Sequence, residues 1–126
     1  MSPSQEPPVA TPPVRRFKDA GYVEVAATLA ELRHRIDALD SQIIDLLAQR
    51  AACVRDATRF KRDALQVAAP ARQAEVFGKV RALAARHEHN FPGLPDIVES
   101  TYRTLVAGFI AGEGRLFLQT EPIESP

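Results

Sequence analysis

The chain has 126 residues, room for one modest domain, and its 45% apolar content is ordinary for a folded soluble protein. Sixteen basic residues balance sixteen acidic ones, which excludes the charge footprint of a general nucleic-acid binder but leaves space for a local cationic pocket. Cys53 is the only cysteine, so an internal disulfide is excluded, and no apolar run is long enough to span a membrane. Prolines stand near the N-terminus where a secretory signal would need an apolar stretch, so the cytoplasm is the expected compartment.

Residues 1–25 carry Pro3, Pro7, Pro8, Pro12 and Pro13 with little apolar periodicity, and they predict a disordered arm. A helical domain is expected over residues 26–118, followed by a flexible tail over 119–126. Thr28 and Glu31 form a capping-box pattern that starts the first helix. Its apolar stripe runs through Leu29, Leu32, Ile36, Leu39, Ile43 and Leu46, then Cys53, Ala57 and Phe60. No proline or glycine occurs from Thr28 to Leu65. The pattern therefore predicts about 34 helical residues, or about 50 Å. The residues that follow are too few to cover such a helix, and a second copy is the expected partner. Cys53, on the inward stripe, reads as packing rather than nucleophile.

A second helix should begin near Pro70, a residue suited to a first turn, and run to about His89. Val76, Phe77, Val80 and Leu83 make its inner face. Asn90-Phe91-Pro92-Gly93 is a breaker. A third helix is expected from about Pro95 to Phe117, with Ile97, Thr101, Leu105, Phe109, Ile110 and Leu116 inward. Gly108 and Gly112, one helical turn apart, suggest close helix packing there. The segment is too short and polar for a membrane helix pair. The whole reads as all-α, with three helices and no strand.

Charges interrupt these stripes. Arg50 takes the position between Leu46 and Cys53, and Lys61 follows eleven residues later. On a continuous helix the two would point the same way, about 16 Å apart along the axis. Arg72 precedes the inner stripe of the second helix, and Glu113 continues that of the third after Val106, Phe109 and Ile110. Burying such groups unpaired is costly, so they should pair, reach water or surround a charged ligand. His87 and His89 lack companions at metal-ligand spacing, and no glycine-rich phosphate loop is present, so no metal or cofactor is expected.

The segment Leu29-Ala30-Glu31-Leu32-Arg33-His34-Arg35-Ile36-Asp37-Ala38-Leu39-Asp40, together with Leu47-Ala48-Gln49-Arg50, resembles the all-helical chorismate mutases. So do the gaps of seventeen from Arg33 to Arg50 and eleven from Arg50 to Lys61. The resemblance covers residues 28–117 and implies a three-helix chorismate mutase-like fold with a long first helix, in an intertwined homodimer. It implies that Arg50 and Lys61 hold carboxylate and ether oxygens of a small dicarboxylate, chorismate or isochorismate. Arg72 would hold the other carboxylate, and Arg33 would be supplied to the partner's site. Helical geometry agrees on this last point, since Arg33 and Arg50 lie about 25 Å apart along one helix, too far to share one small ligand.

The isochorismate pyruvate-lyases, a salicylate-forming branch of the same fold, are resembled in Arg59-Phe60-Lys61 and in Ala69-Pro70-Ala71-Arg72. The gap from Lys61 to Arg72 is eleven where typical mutases have twelve, and Gln73 stands where they have a ring-hydroxyl-binding glutamate. Glu113 takes a place where most members have glutamine, and the distance from Arg72 to Glu113 is longer by four residues, in the connection from His87 to Pro95.

The activity implied first is the rearrangement of chorismate to prephenate, a step toward aromatic amino acids. Such a unimolecular pericyclic reaction requires a held conformer and stabilised charge on the breaking ether oxygen. Lys61 and Glu113 would contact that oxygen from opposite sides, and Glu113 can donate there only when protonated. Lysis of isochorismate to salicylate and pyruvate is the alternative. A non-catalytic helical dimerisation module is the second alternative, and it would tolerate neutralisation of Arg50, Lys61 and Arg72.

Overall fold

The computed structural model describes residues 6–10 and 12–123. The parts of the expected arm at residues 1–5 and 11, and of the tail at 124–126, lie outside the described residues. Three long helices make up most of the chain: α1, Leu29–Ala57; α3, Pro70–Ala85; and α4, Leu94–Phe117. A five-residue helix α2, Ala64–Ala68, and single turns of 3-10 helix at Thr58–Phe60 and Glu88–Asn90 complete the order. The described residues contain no strand. The chain divides into two compact units, Met1–Ala48 and Gln49–Pro126.

In the first unit the described residues before α1 form no helix. Asp19 closes a turn in which its carboxylate accepts from the Gly21 amide at 2.9 Å, and the Phe17 and Tyr22 rings meet with centroids 4.4 Å apart. Thr28 Oγ1 accepts from the Glu31 amide at 3.2 Å, starting α1 at the predicted place. The apolar stripe is present and largely open to solvent. Ile36, Leu39, Ile43 and Leu46 are 54%, 55%, 51% and 63% exposed, and no residue of α1 is buried.

α1 is shorter than its periodicity suggests. It ends at Ala57, and after the 3-10 turn Lys61 is extended (φ −101°, ψ 137°). The cause is local capping. The Asp63 carboxylate accepts from the Gln66 amide at 2.9 Å, and the Gln66 side-chain oxygen accepts from the Arg62 amide at 2.7 Å. Two side chains thus satisfy backbone donors that a continuing helix would have bonded, and this competes with continuation. Phe60 and Leu65 are left exposed. Cys53, expected to pack, is exposed as well, because the half-buried face of this part of α1 carries Arg50, Val54 and Ala57 instead.

The second unit holds the core. α4 packs along α3 and also receives α2 and the Thr58–Phe60 turn. Val67, Phe77, Ala84 and Val106 are buried between them, with Thr58 and Pro95. Pro70 opens α3 as predicted, but the helix stops at Ala85 rather than near His89. Ala84 takes the buried place expected of Leu83, which is 44% exposed. Gly93 turns the chain into α4 with φ 84°, a left-handed conformation that costs glycine little. Ile97 and Thr101 are exposed rather than inward, since α4 presents Pro95 and Val106 to the core instead. At Gly108 a side chain would meet nothing within 4 Å, so the close packing expected there is not made within the chain. Arg81 of α3 pins the start of α4 through Asp96, at 2.6 Å, and Glu99, at 3.5 Å.

Candidate active site

The site begins with one stripe of α4. Tyr102, Val106, Phe109 and Glu113 recur at steps of four, three and four, which places them on a single helical face. Val106 and Glu113 are buried, while Tyr102 and Phe109 are half-buried. Arg50, near the end of α1, lies over this stripe. Its guanidinium carbon is 5.8 Å from the Tyr102 ring centroid and 5.3 Å from that of Phe109.

Two polar atoms here are buried without a hydrogen-bond partner: Nη1 of Arg50 and Oε2 of Glu113. They do not satisfy each other. Glu113 is only 6% exposed. A buried polar atom left without a bond costs about 1–3 kcal/mol, and more when charged, so these two atoms call for an explanation beyond packing.

The other sequence-predicted residues are placed differently. Lys61 is half-buried on the extended link after α1, and its backbone amide donates to the Thr58 carbonyl at 3.2 Å. Because the helix has already ended, the expectation that Arg50 and Lys61 share one helical direction does not hold. Arg72 is exposed and paired with Glu75 one turn along α3, rather than facing the core. Gln73 donates from Nε2 to the Ala68 carbonyl at 2.6 Å, and so ties the junction of α2 and α3. Between those helices Ala69 has φ 46°, unusual for a residue with a side chain. Arg33, in the first unit, is exposed and bound to Glu6 at 3.0 Å. The structure thus brings Arg50 to the Glu113 stripe. Among the described residues, no hydrogen bond or ion pair draws Lys61, Arg72 or Gln73 to it.

Open clefts occur elsewhere in the second unit. One of about 430 Å³ is lined by Gly78, Arg81, Gly93 and Asp96, and one of about 330 Å³ by Arg55, Thr58, Arg59 and Leu116. Neither includes a predicted site residue. Beside the second, Arg59 donates to Asp56 at 2.8 Å, and this bond with its charge holds the Asp56 carboxyl below its ordinary range. Among the described residues no three His, Cys, Asp or Glu are gathered as metal ligands, and no helix is long and apolar enough to cross a membrane.

A family model for chorismate mutase type II matches residues 32–114, two-thirds of the chain. The protein belongs to that family. The matched span contains all six candidate residues, from Arg33 to Glu113, and the all-helical architecture with its long first helix agrees with membership. No curated protein matches the chain significantly. Tyr102 carries no charge, so the spacing of charged residues does not reveal it. Its spacing of seven from Phe109 was the available signal.

Proposed function

We propose that this member of the chorismate mutase type II family converts chorismate to prephenate, in a cationic pocket completed by a second copy of the chain. The observation that carries this reading is the pair of buried, unsatisfied atoms on Arg50 and Glu113. A dicarboxylate ether offers acceptors for the first, and a protonated Glu113 offers a donor to the ether oxygen. Lys61, whose ammonium has no partner among the described residues, adds a second cation. These groups would fix the folded reactive conformer and favour the charge that develops as the ether bond breaks.

Arg72 would take the other carboxylate on exchanging its exposed partner Glu75, a pair of the kind that holds only weakly. Gln73 would lie beside the ring hydroxyl. Arg33 would reach the partner's site, exchanging Glu6 for a substrate carboxylate. The uncovered stripe Ile36, Leu39, Ile43 and Leu46 supports a homodimer, because exposing it to water forgoes about 25 cal/mol for each Å² that a partner would cover. Open space at Gly108 leaves room for close approach.

Lysis of isochorismate to salicylate and pyruvate is the second reading, favoured by Gln73 in place of glutamate and by the eleven-residue step from Lys61 to Arg72. Incubation of the purified protein with chorismate and with isochorismate, followed by product identification, separates the two. Prephenate from chorismate is the expected product. Salicylate with pyruvate from isochorismate, and no prephenate, would move the protein to the lyase branch. No turnover of either substrate would leave a helical dimerisation module.

A further inference from the structure

Six of the thirteen arginines contact a carboxylate or an aromatic ring, and they do so in two distinct ways. Arg33, Arg59, Arg72, Arg81 and Arg103 each contact a carboxylate: Glu6, Asp56, Glu75, Asp96 and Glu99 respectively. Arg59 and Arg103 also lie over rings, but those pairs keep their carboxylates. Arg50 is half-buried, lies over two rings, and makes no ion pair among the described residues. Both rings fall within the roughly 6 Å at which an aromatic face attracts a cation.

We infer that Tyr102 and Phe109 are positioning residues that set the plane of the Arg50 guanidinium by ring contact in place of a carboxylate, so that Arg50 meets an anionic guest with its charge and hydrogen-bonding fork unspent. The inference rests on the reading of Arg50 as a substrate-binding group. Its physical basis is a difference between two kinds of partner. A carboxylate would orient the guanidinium equally well, but it would occupy the N–H groups and neutralise the charge that a substrate carboxylate requires. A ring face attracts the cation through its quadrupole and leaves the in-plane N–H groups free. The buried Nη1 without a partner is the group such an arrangement would hold in reserve. Glu113 follows one turn beyond Phe109 on the same helical face.

The test uses the full-length protein with Phe109→Leu, Phe109→Tyr, Tyr102→Leu, Tyr102→Phe and Arg50→Ala. Leucine keeps apolar bulk and removes the ring, whereas the Phe/Tyr exchanges keep it. KM for chorismate should rise about three- to tenfold in each leucine variant, with a smaller change in kcat, and the ring-retaining variants should recover most of the loss. An activity-independent signature comes from NMR of the ligand-free protein. The Arg50 Nε–H and side-chain methylene signals should be shifted upfield by the ring currents, keep that shift in Tyr102→Phe, and lose part of it in Phe109→Leu.

Arg50 signals at exposed-arginine positions in the wild type would overturn the inference. So would wild-type KM in both leucine variants when Arg50→Ala binds poorly, and that outcome would leave the proposed activity standing. Wild-type KM in Arg50→Ala would overturn both together.

Discussion

The first turns of α1 and the middle of α4 make an instructive pair. α1 has the more regular pattern, with Leu32, Ile36, Leu39, Ile43 and Leu46 at steps of three and four and no glycine or proline. None of its residues is buried. α4 carries Gly108, Gly112 and Gly114, each costing about 1 kcal/mol relative to alanine, and a glutamate on its apolar stripe. It nonetheless supplies Val106 and Pro95 to the core. A regular stripe reports that a face should be covered. It does not report by what: among the described residues α4 has buried positions and α1 has none.

The contrast breaks most visibly if α1 is made polar. If the proposed homodimer forms through this stripe, Ile43→Asp should leave a monomer in sedimentation analysis and abolish turnover, as expected of a site that takes Arg33 from a second copy. An active monomeric variant would show that the α1 stripe has another use. Lys61→Ala should lower kcat about 100-fold through loss of a charge-stabilising donor, measured by chorismate disappearance.

Glu113 sharpens the comparison from the α4 side. Glu113→Gln keeps a side-chain donor and should retain turnover, whereas Glu113→Ala should lower it, measured by chorismate disappearance. The glutamine variant should unfold at an equal or higher temperature, because a neutral amide is easier to bury than an unpaired carboxylate. Full turnover in Glu113→Ala would remove the donor role.

Smaller effects test the junction between the helices. Ala69→Gly relieves the left-handed strain at φ 46° and should stabilise by about 1 kcal/mol in denaturant unfolding. Asp63→Ala removes the cap that ends the first helical run and should destabilise by a similar amount, about 1 kcal/mol. The smallest effect is expected at Asp56. Its carboxyl is held below the ordinary range by Arg59, so the pair favours the fold above that range and its contribution disappears as pH falls through the lowered value. Wild type and Asp56→Asn should therefore converge in melting temperature at strongly acidic pH.

The sequence by itself determined what depends on near neighbours along the chain. Thr28 and Glu31 marked the start of α1, Pro70 the start of α3 and Gly93 the turn into α4, because caps and special backbone angles act over a few residues. Family membership was legible in the spacing of Arg33, Arg50 and Lys61, and the family match agrees. The same local rule explains an error. Asp63 and Gln66 encode a cap that ends the helical run, and apolar periodicity through Phe60 and Leu65 obscured it.

Only the tertiary structure decided which charges are buried and what they meet. Arg50 and Arg72 look alike in sequence, yet one lies on Tyr102 and Phe109 while the other is exposed beside Glu75. Burial and ring contact depend on residues more than fifty positions apart, brought together by packing. Neither propensity nor period carries that information, since both sum over a few turns of one helix.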